Sequence, residues 1–321
     1  LVRMSADTGT GASVRTPRVL LPYAGPDTGG AFTDIFVYLR PEANGVLAES
    51  AILKVIERCS AYKKDLFLVY MANIPGDFIA CHKLVEKHYA VKLVFAVRGG
   101  DAFTPEMRIA FERYFRERFD AAKPIGAFQA MDDLNLRAEE LFSVRVPESE
   151  VLMVNGQSIK KVRGRYIVNY DIPALLHKNN AHTDIAVMLF RTRNGYHHFS
   201  ELIREMKDAV VREGIIGPGQ HFSRVFHYSK SPFEQALDAR SHLFGSDGAF
   251  LGLEASSFAE YCMVRGLAAE QLHGLVDNPV CTFHTDDGPV EEHLSTFTEH
   301  DDYATALDKA KRITAQAWLV K

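Results

Sequence analysis

Four cysteines and a single tryptophan among 321 residues are the first constraints on this chain. Cys59, Cys81, Cys262 and Cys281 lie far apart and form no C-x-x-C pair, which excludes a disulfide frame and a thiolate zinc site. Reduced thiols of this kind belong in a reducing compartment, so a cytoplasmic protein is expected. Long apolar runs are also missing. "LFLVYMANI" and "VKLVFAV" are of strand length, well short of the ~20 residues that span a bilayer, and no membrane partner is expected. Charge of either sign is in little excess, 37 Lys plus Arg against 41 Asp plus Glu, so no global field attracts phosphate backbones. Nucleic acid is not an expected partner, and the one local exception is Lys160, Lys161, Arg163 and Arg165 beside a turn. Also absent are G-x-G-x-x-G, Walker A and G-x-S-x-G patterns in a strand-turn-helix setting, and H-E-x-x-H. No dinucleotide, nucleotide, hydrolase-triad or zincin chemistry can be assigned from a motif.

What is present is an ordinary globular composition, 47% hydrophobic and 24% charged. A single core stops growing at roughly 250–300 residues, so two domains are expected. Residues 1–16 are polar and rich in Gly, Thr and Ser, without the apolar region of a secretory signal, and read as a tail. Beyond them, strand-like runs near 18–23, 33–39, 65–72, 91–98 and 124–130 alternate with helical patterns near 46–61, 76–89 and 104–119. The helix near 46–61 puts Leu47, Ala51, Ile52, Val55, Ile56 and Cys59 on one face, with Glu49, Lys54, Glu57 and Arg58 opposite. Such alternation predicts an α/β fold with largely parallel sheets flanked by helices.

The second half repeats this order. "TDIFV" at 33–37 matches "TDIAV" at 183–187, and Asn44-Gly45 matches Asn194-Gly195 at the same offset. Further on, "ANIPGDF" aligns with "SKSPFEQ", "VKLVFAV" with "GAFLGLE", and "KPIGAFQAMDDLN" with "NPVCTFHTDDGP", with "GIIGPGQ" as an insertion. The expectation is an internal duplication, two related α/β modules at 17–150 and 151–321. Asn155-Gly156 suits a type I′ hairpin turn at the start of the second.

In parallel α/β sheets ligands sit at the carboxyl ends of strands, next to helix N-termini. Two anion sites are nominated this way. Arg98 precedes the paired glycines of "VRGGD", whose N–H groups could approach an anion. Ser229, Lys230 and Ser231 precede Pro232, so two hydroxyls, an ammonium and the start of a helix converge. Histidine is the skewed residue: all but His82 and His88 of the 13 lie at or beyond residue 177. The densest group, "HTDDGPVEEH", nominates His284, Asp286 and Asp287 as catalytic and His284, Asp286 and His293 as metal ligands. Imidazole with carboxylate suits Zn²⁺, Mn²⁺ or Fe²⁺.

Together these features predict a cytoplasmic enzyme acting on a small anionic molecule in a cleft between two modules, by metal-assisted hydrolysis or group transfer. The divalent metal is its expected cofactor. The competing expectation is a non-catalytic ligand-binding or scaffold protein built as a pseudo-dimer.

Overall fold

The computed structural model describes residues 14–217 and 225–320. Residues 1–13 of the expected tail, His221 and the end of the "GIIGPGQ" segment lie outside them. At the described end of that tail, the backbone N–H and Nε of Arg15 donate to the Asp77 carboxylate at 3.0 and 2.9 Å.

In chain order the described strands are β1 (Arg18–Leu21), β2 (Thr33–Leu39), β3 (Leu66–Pro75), β4 (Ile125–Gly126), β5 (Val151–Val154), β6 (Gln157–Val162), β7 (Arg165–Val168), β8 (Asp184–Thr192), β9 (Phe226–Tyr228), β10 (Val280–Thr285), β11 (Gly288–His293) and β12 (Ile313–Gln316). They form a five-stranded sheet, β1-β3-β8-β2-β9, a four-stranded sheet, β4-β7-β6-β5, and a three-stranded sheet, β11-β10-β12. Every described pairing is antiparallel except the short match of β4 with β7.

The α/β class is therefore as expected, but the largely parallel sheets are not, and the reason is topological. β2 leads through the helix Val46–Arg58 to β3, and β8 leads through the helix Gly195–Arg212 to β9. Each connection returns the chain in the same direction. However, β8 lies between β2 and β3, and β2 lies between β8 and β9. Two split βαβ units interleave, so strands that run parallel are never neighbours.

The expected duplication is not confirmed either. The strands that carry the matched "TDI" segments, β2 and β8, are hydrogen-bonded neighbours, with Asp34 opposite Arg191 and Tyr38 opposite Val187, so the large sheet draws strands from both sides of residue 150. Downstream the aligned segments differ in kind. "VKLVFAV" belongs to a helix, Ala90–Arg98, whereas "GAFLGLE" holds an isolated bridge residue, Phe250, and runs into a short 3₁₀ turn, Leu253–Ala255. "AFQAMDDL" is a helix, whereas "VCTFHT" is β10. A short run of Val, Leu and Phe fits a buried strand or a buried helix equally, and periodicity alone does not separate them.

The large sheet is covered on both faces. Ile35, Val37 and Leu39 pack under the helices Val46–Arg58 and Gly195–Arg212. The alternate residues Phe36 and Tyr38 face the other way, toward Ala239, Leu243 and Phe244. That second layer is the helix Pro232–His242, wedged between the sheet and a C-terminal unit built on Phe258, Leu272, Phe283 and Leu307. A buried ion pair of the sheet meets the same junction, where Ser257 contacts both of its members. Arg191 reaches both carboxylate oxygens of Asp34 at 2.7 and 2.8 Å, and Asp34 is fully buried.

The glycines of "VRGGD" serve packing. A Cβ on Gly99 would lie 2.5 Å from the Gly126 nitrogen, and one on Gly126 would lie 2.2 Å from the Ala96 carbonyl oxygen. Only glycine lets the helix Ala90–Arg98 approach β4 so closely. Asn155 and Gly156 both adopt positive φ, 46° and 72°, as a type I′ turn requires. Among the described residues no helix is long and apolar enough to cross a membrane.

Candidate metal centre

The helix Pro232–His242 begins with Ser231, whose Oγ accepts from the Glu234 N–H at 3.1 Å, and with Pro232 in the first turn. Glu234 in return accepts the Lys230 N–H through Oε2 at 2.7 Å. Most of its residues are buried, including the polar Gln235, Asp238, Ser241 and His242. A helix enclosed on nearly all sides must find partners for such groups. Asp238 and His242 stand one turn apart, on one face.

Around that face three further elements converge. β2 contributes Tyr38, whose ring lies between the rings of His227 and His242, with centroids 4.6 and 4.4 Å away. His227 is the residue paired with Tyr38 across β2 and β9. The short helix Leu84–His88 contributes His88, whose Nε2 is 3.8 Å from Asp238 Oδ1. Ser229 fixes the carboxylate: its Oγ donates to Asp238 Oδ2 at 2.8 Å and accepts from the Phe36 N–H at 3.0 Å. His242 Nδ1 is 3.2 Å from the Asp238 carbonyl oxygen, so a proton on Nδ1 leaves Nε2 as a lone-pair donor.

His88, Asp238 and His242 thus form a buried chelating triad, each offering one ligand atom within 4.8 Å of the others. Ligands held at ~2.1 Å by a tetrahedral ion are about 3.4 Å apart, so the side chains must close inward to hold one. Three atoms of the cluster, Asp238 Oδ1, His88 Nδ1 and His227 Nε2, are buried without a hydrogen-bond partner. Orphaned polar atoms of this kind call for a ligand, an ion or water. Two imidazoles and one carboxylate fit zinc, manganese or iron better than calcium or magnesium, which prefer oxygen alone.

Burial dominates the electrostatics. It pushes His227 and His242 down to about 4 and His88 well below its ordinary value. All three stay neutral near pH 7, the form that ligates metals. The same burial pushes Asp238 up to about 7, opposed by His242 and by the Ser229 hydrogen bond.

The cluster adjoins two spaces. A small cavity of about 40 Å³ is lined by Tyr38, Arg40, His88, Tyr89 and His242. An open cleft of about 350 Å³ is lined by Arg40, His88 and His227, together with Lys230, Glu234 and His293. His227 Nε2 stands 3.4 Å from Asp238 Oδ2 and 3.6 Å from Glu234 Oε1, which places an imidazole between the cleft and the carboxylates.

The residues nominated from sequence fall in several places. His284, Asp286 and Asp287 are exposed at the tip of the β10–β11 hairpin. His293 pairs with Val280 at the other end, four residues of strand away from His284, or ~13 Å. That separation is too long for shared ligation by His284, Asp286 and His293. Ser229 supports Asp238 and Ser231 caps the helix, both fully buried, so neither hydroxyl faces an open anion site. Lys230 is exposed and lines the cleft. Arg98 is exposed at the end of a helix, its Nη2 donating to the Asp101 carbonyl, away from the other three. The basic hairpin is largely engaged: Lys160 lies 3.5 Å over the Tyr170 ring, Lys161 pairs with Glu117 and Arg165 with Asp133.

One signal for the triad was present in the sequence. Asp238 and His242 in "LDARSH" are spaced i, i+4 within a helical pattern otherwise rich in small apolar residues. His88, far upstream, carries no such mark.

No family model matches the chain, no curated protein matches its sequence, and no solved structure matches its fold.

His293 provides a pH-dependent test of the cleft wall. Burial pushes it down to about 4, with Lys92 adding to the shift. Between about 4 and the ordinary 6.5 the unfolded chain binds this proton more readily than the folded one, so stability falls as pH drops through that range. The melting temperature of His293→Gln is expected to fall less steeply than that of the parent between pH 6.5 and 4.5. Parallel curves would show that His293 is freely solvated.

Proposed function

We propose that the protein is a metal-dependent enzyme that holds a divalent transition metal at His88, Asp238 and His242 and acts on a small anionic substrate in the adjoining cleft, by hydrolysis or group transfer. The observation that carries this reading is the convergence of the three buried ligand-type side chains, with unpartnered polar atoms, beside an open cleft. Such a metal, when bound, supplies Lewis acidity and a water of lowered pKa. The chain's own residues orient and exclude. Ser229 fixes the rotamer of Asp238, the Asp238 carbonyl sets the His242 tautomer, and Tyr38 holds the planes of His227 and His242. His227 Nε2 faces the Asp238 and Glu234 carboxylates at 3.4 and 3.6 Å. The free state of Cys59, Cys81, Cys262 and Cys281 supports a cytoplasmic setting.

Elemental analysis of gently purified protein tests this reading. About one equivalent of zinc, manganese or iron per chain is expected, lost in His242→Ala and retained in His284→Ala. Hydrolysis of an activated ester such as p-nitrophenyl phosphate or p-nitrophenyl acetate should disappear on chelation. Absence of metal, together with no metal-induced rise in melting temperature, would remove the proposal.

A further inference from the structure

The cleft carries a charge imbalance that the metal centre does not use. Its walls bear five cations, Arg40, Lys87, Lys92, Lys230 and Arg240, against Asp171, Glu234 and Asp277. Among the described residues Asp277 is paired by Arg240, Glu234 accepts only the Lys230 backbone N–H, and Asp171 has a buried oxygen without a partner, so the cations still outnumber the acids.

Arg40 is the decisive residue. It directly follows β2, and its Nη2 donates to Tyr89 Oη at 3.2 Å. Its guanidinium lies 5.9 Å from the centre of the Tyr38 ring, and its Nε is buried with no acceptor. Glu42, two residues on, is engaged by Lys178. Among the described residues no ion pair includes Arg40, Lys92 or Lys230. A guanidinium cannot shed its proton, and a charge withdrawn from water without a partner is strongly unfavourable. Arg40 is half-buried, and the carboxylates whose fields reach it, Glu42 and Asp238, are held by Lys178 and Ser229, so an incoming anion could pair with it directly. Arg40 and His88 line both the small cavity and the cleft, so an anion on Arg40 would sit beside the triad.

We infer that the cleft binds a phosphate monoester dianion, with Arg40 clamping its oxygens and Lys92 and Lys230 flanking it. This names the substrate class of the site proposed above and rests on that reading only for the shared cleft. Three cations outside any ion pair match a group carrying −1.5 to −2 charges better than a single carboxylate does. The planar guanidinium fork suits two phosphate oxygens at once. A volume of about 350 Å³ holds a small phosphorylated molecule.

The test uses the full chain, first stripped with a chelator and then metal-loaded, with methyl phosphate, inorganic phosphate and acetate as probes in calorimetry at fixed ionic strength. Both phosphates should bind the stripped protein and raise its melting temperature, and acetate should bind at least tenfold more weakly. Arg40→Gln should weaken methyl phosphate at least tenfold and, without ligand, melt no lower than the parent. Lys92→Gln should weaken it about threefold, which keeps the test decisive if Arg40→Gln fails to fold. Methyl phosphate binding no better than acetate, or unchanged in both variants, overturns the inference. Binding of inorganic phosphate with exclusion of methyl phosphate overturns the ester assignment. Phosphate binding without metal uptake sinks the metal centre alone, and metal uptake without phosphate binding sinks this inference alone.

Discussion

Asp238→Asn should leave the protein folded and reduce metal affinity at least about 100-fold. The substitution keeps the shape of the side chain and an oxygen to accept the Ser229 hydroxyl, now at 2.8 Å from Oδ2, but removes the only anionic ligand of the triad. Loss of a group that merely orients a ligand already costs about 10–100-fold in metal affinity. Loss of the ligand's charge should cost more, because the carboxylate also offsets the cost of placing a dication in the interior. Ser229→Ala, which frees the carboxylate to rotate, should fall in the smaller range. Metal titration followed by melting temperature checks both. A metal present at 100 times its Kd stabilises the parent by about 2.7 kcal/mol, and this increment should fall to about 0.4 kcal/mol or less in Asp238→Asn. An undiminished metal-induced shift in that variant would exclude Asp238 as a ligand.

Asp34→Ala should be the most destabilising single change, by about 3–5 kcal/mol. Asp34 is fully buried, receives two bonds from Arg191, and accepts a third from Ser257 Oγ at 2.6 Å. Its removal strands a guanidinium that is otherwise held by the Gly25 carbonyl and Ser257. The penalty comes from the uncompensated charge, so the double variant Asp34→Leu with Arg191→Met should recover much of the loss. Against a typical total of about 5–15 kcal/mol, the single change should move the guanidinium unfolding midpoint substantially. A cost below about 1 kcal/mol would show that water reaches this pair. The effect should extend to the metal site. The Asp34 N–H donates to Tyr303 Oη, and Tyr303 Oη donates to Gln235 Oε1, one turn before Asp238 on the same helix.

The parts of the fold that could be read in advance are those whose signal is local. β2, β8 and the helices Val46–Arg58 and Gly195–Arg212 are encoded by apolar spacing within each segment. The run "VKLVFAV" misled because six apolar residues in a run of seven have no distinguishing period. The repeated βαβ order was legible, but it specifies the direction of β2 relative to β3 and says nothing of what lies between them. The histidine skew pointed to the half of the chain that holds His227 and His242. It also drew attention to the hairpin His284–His293, where proximity in sequence is stretched out along a strand.

Sequence by itself determined the class of the elements, the hairpin turn at Asn155-Gly156, the capped start of the helix at Ser231-Pro232, and the placing of an aspartate and a histidine one turn apart on that helix. The tertiary structure alone decided that β8 would insert between β2 and β3, because backbone hydrogen bonds between strands are the same whatever the separation along the chain. It alone brought His88 to Asp238 and left Arg40 outside any described ion pair, because burial and pairing are properties of the space around a side chain and not of its neighbours in sequence.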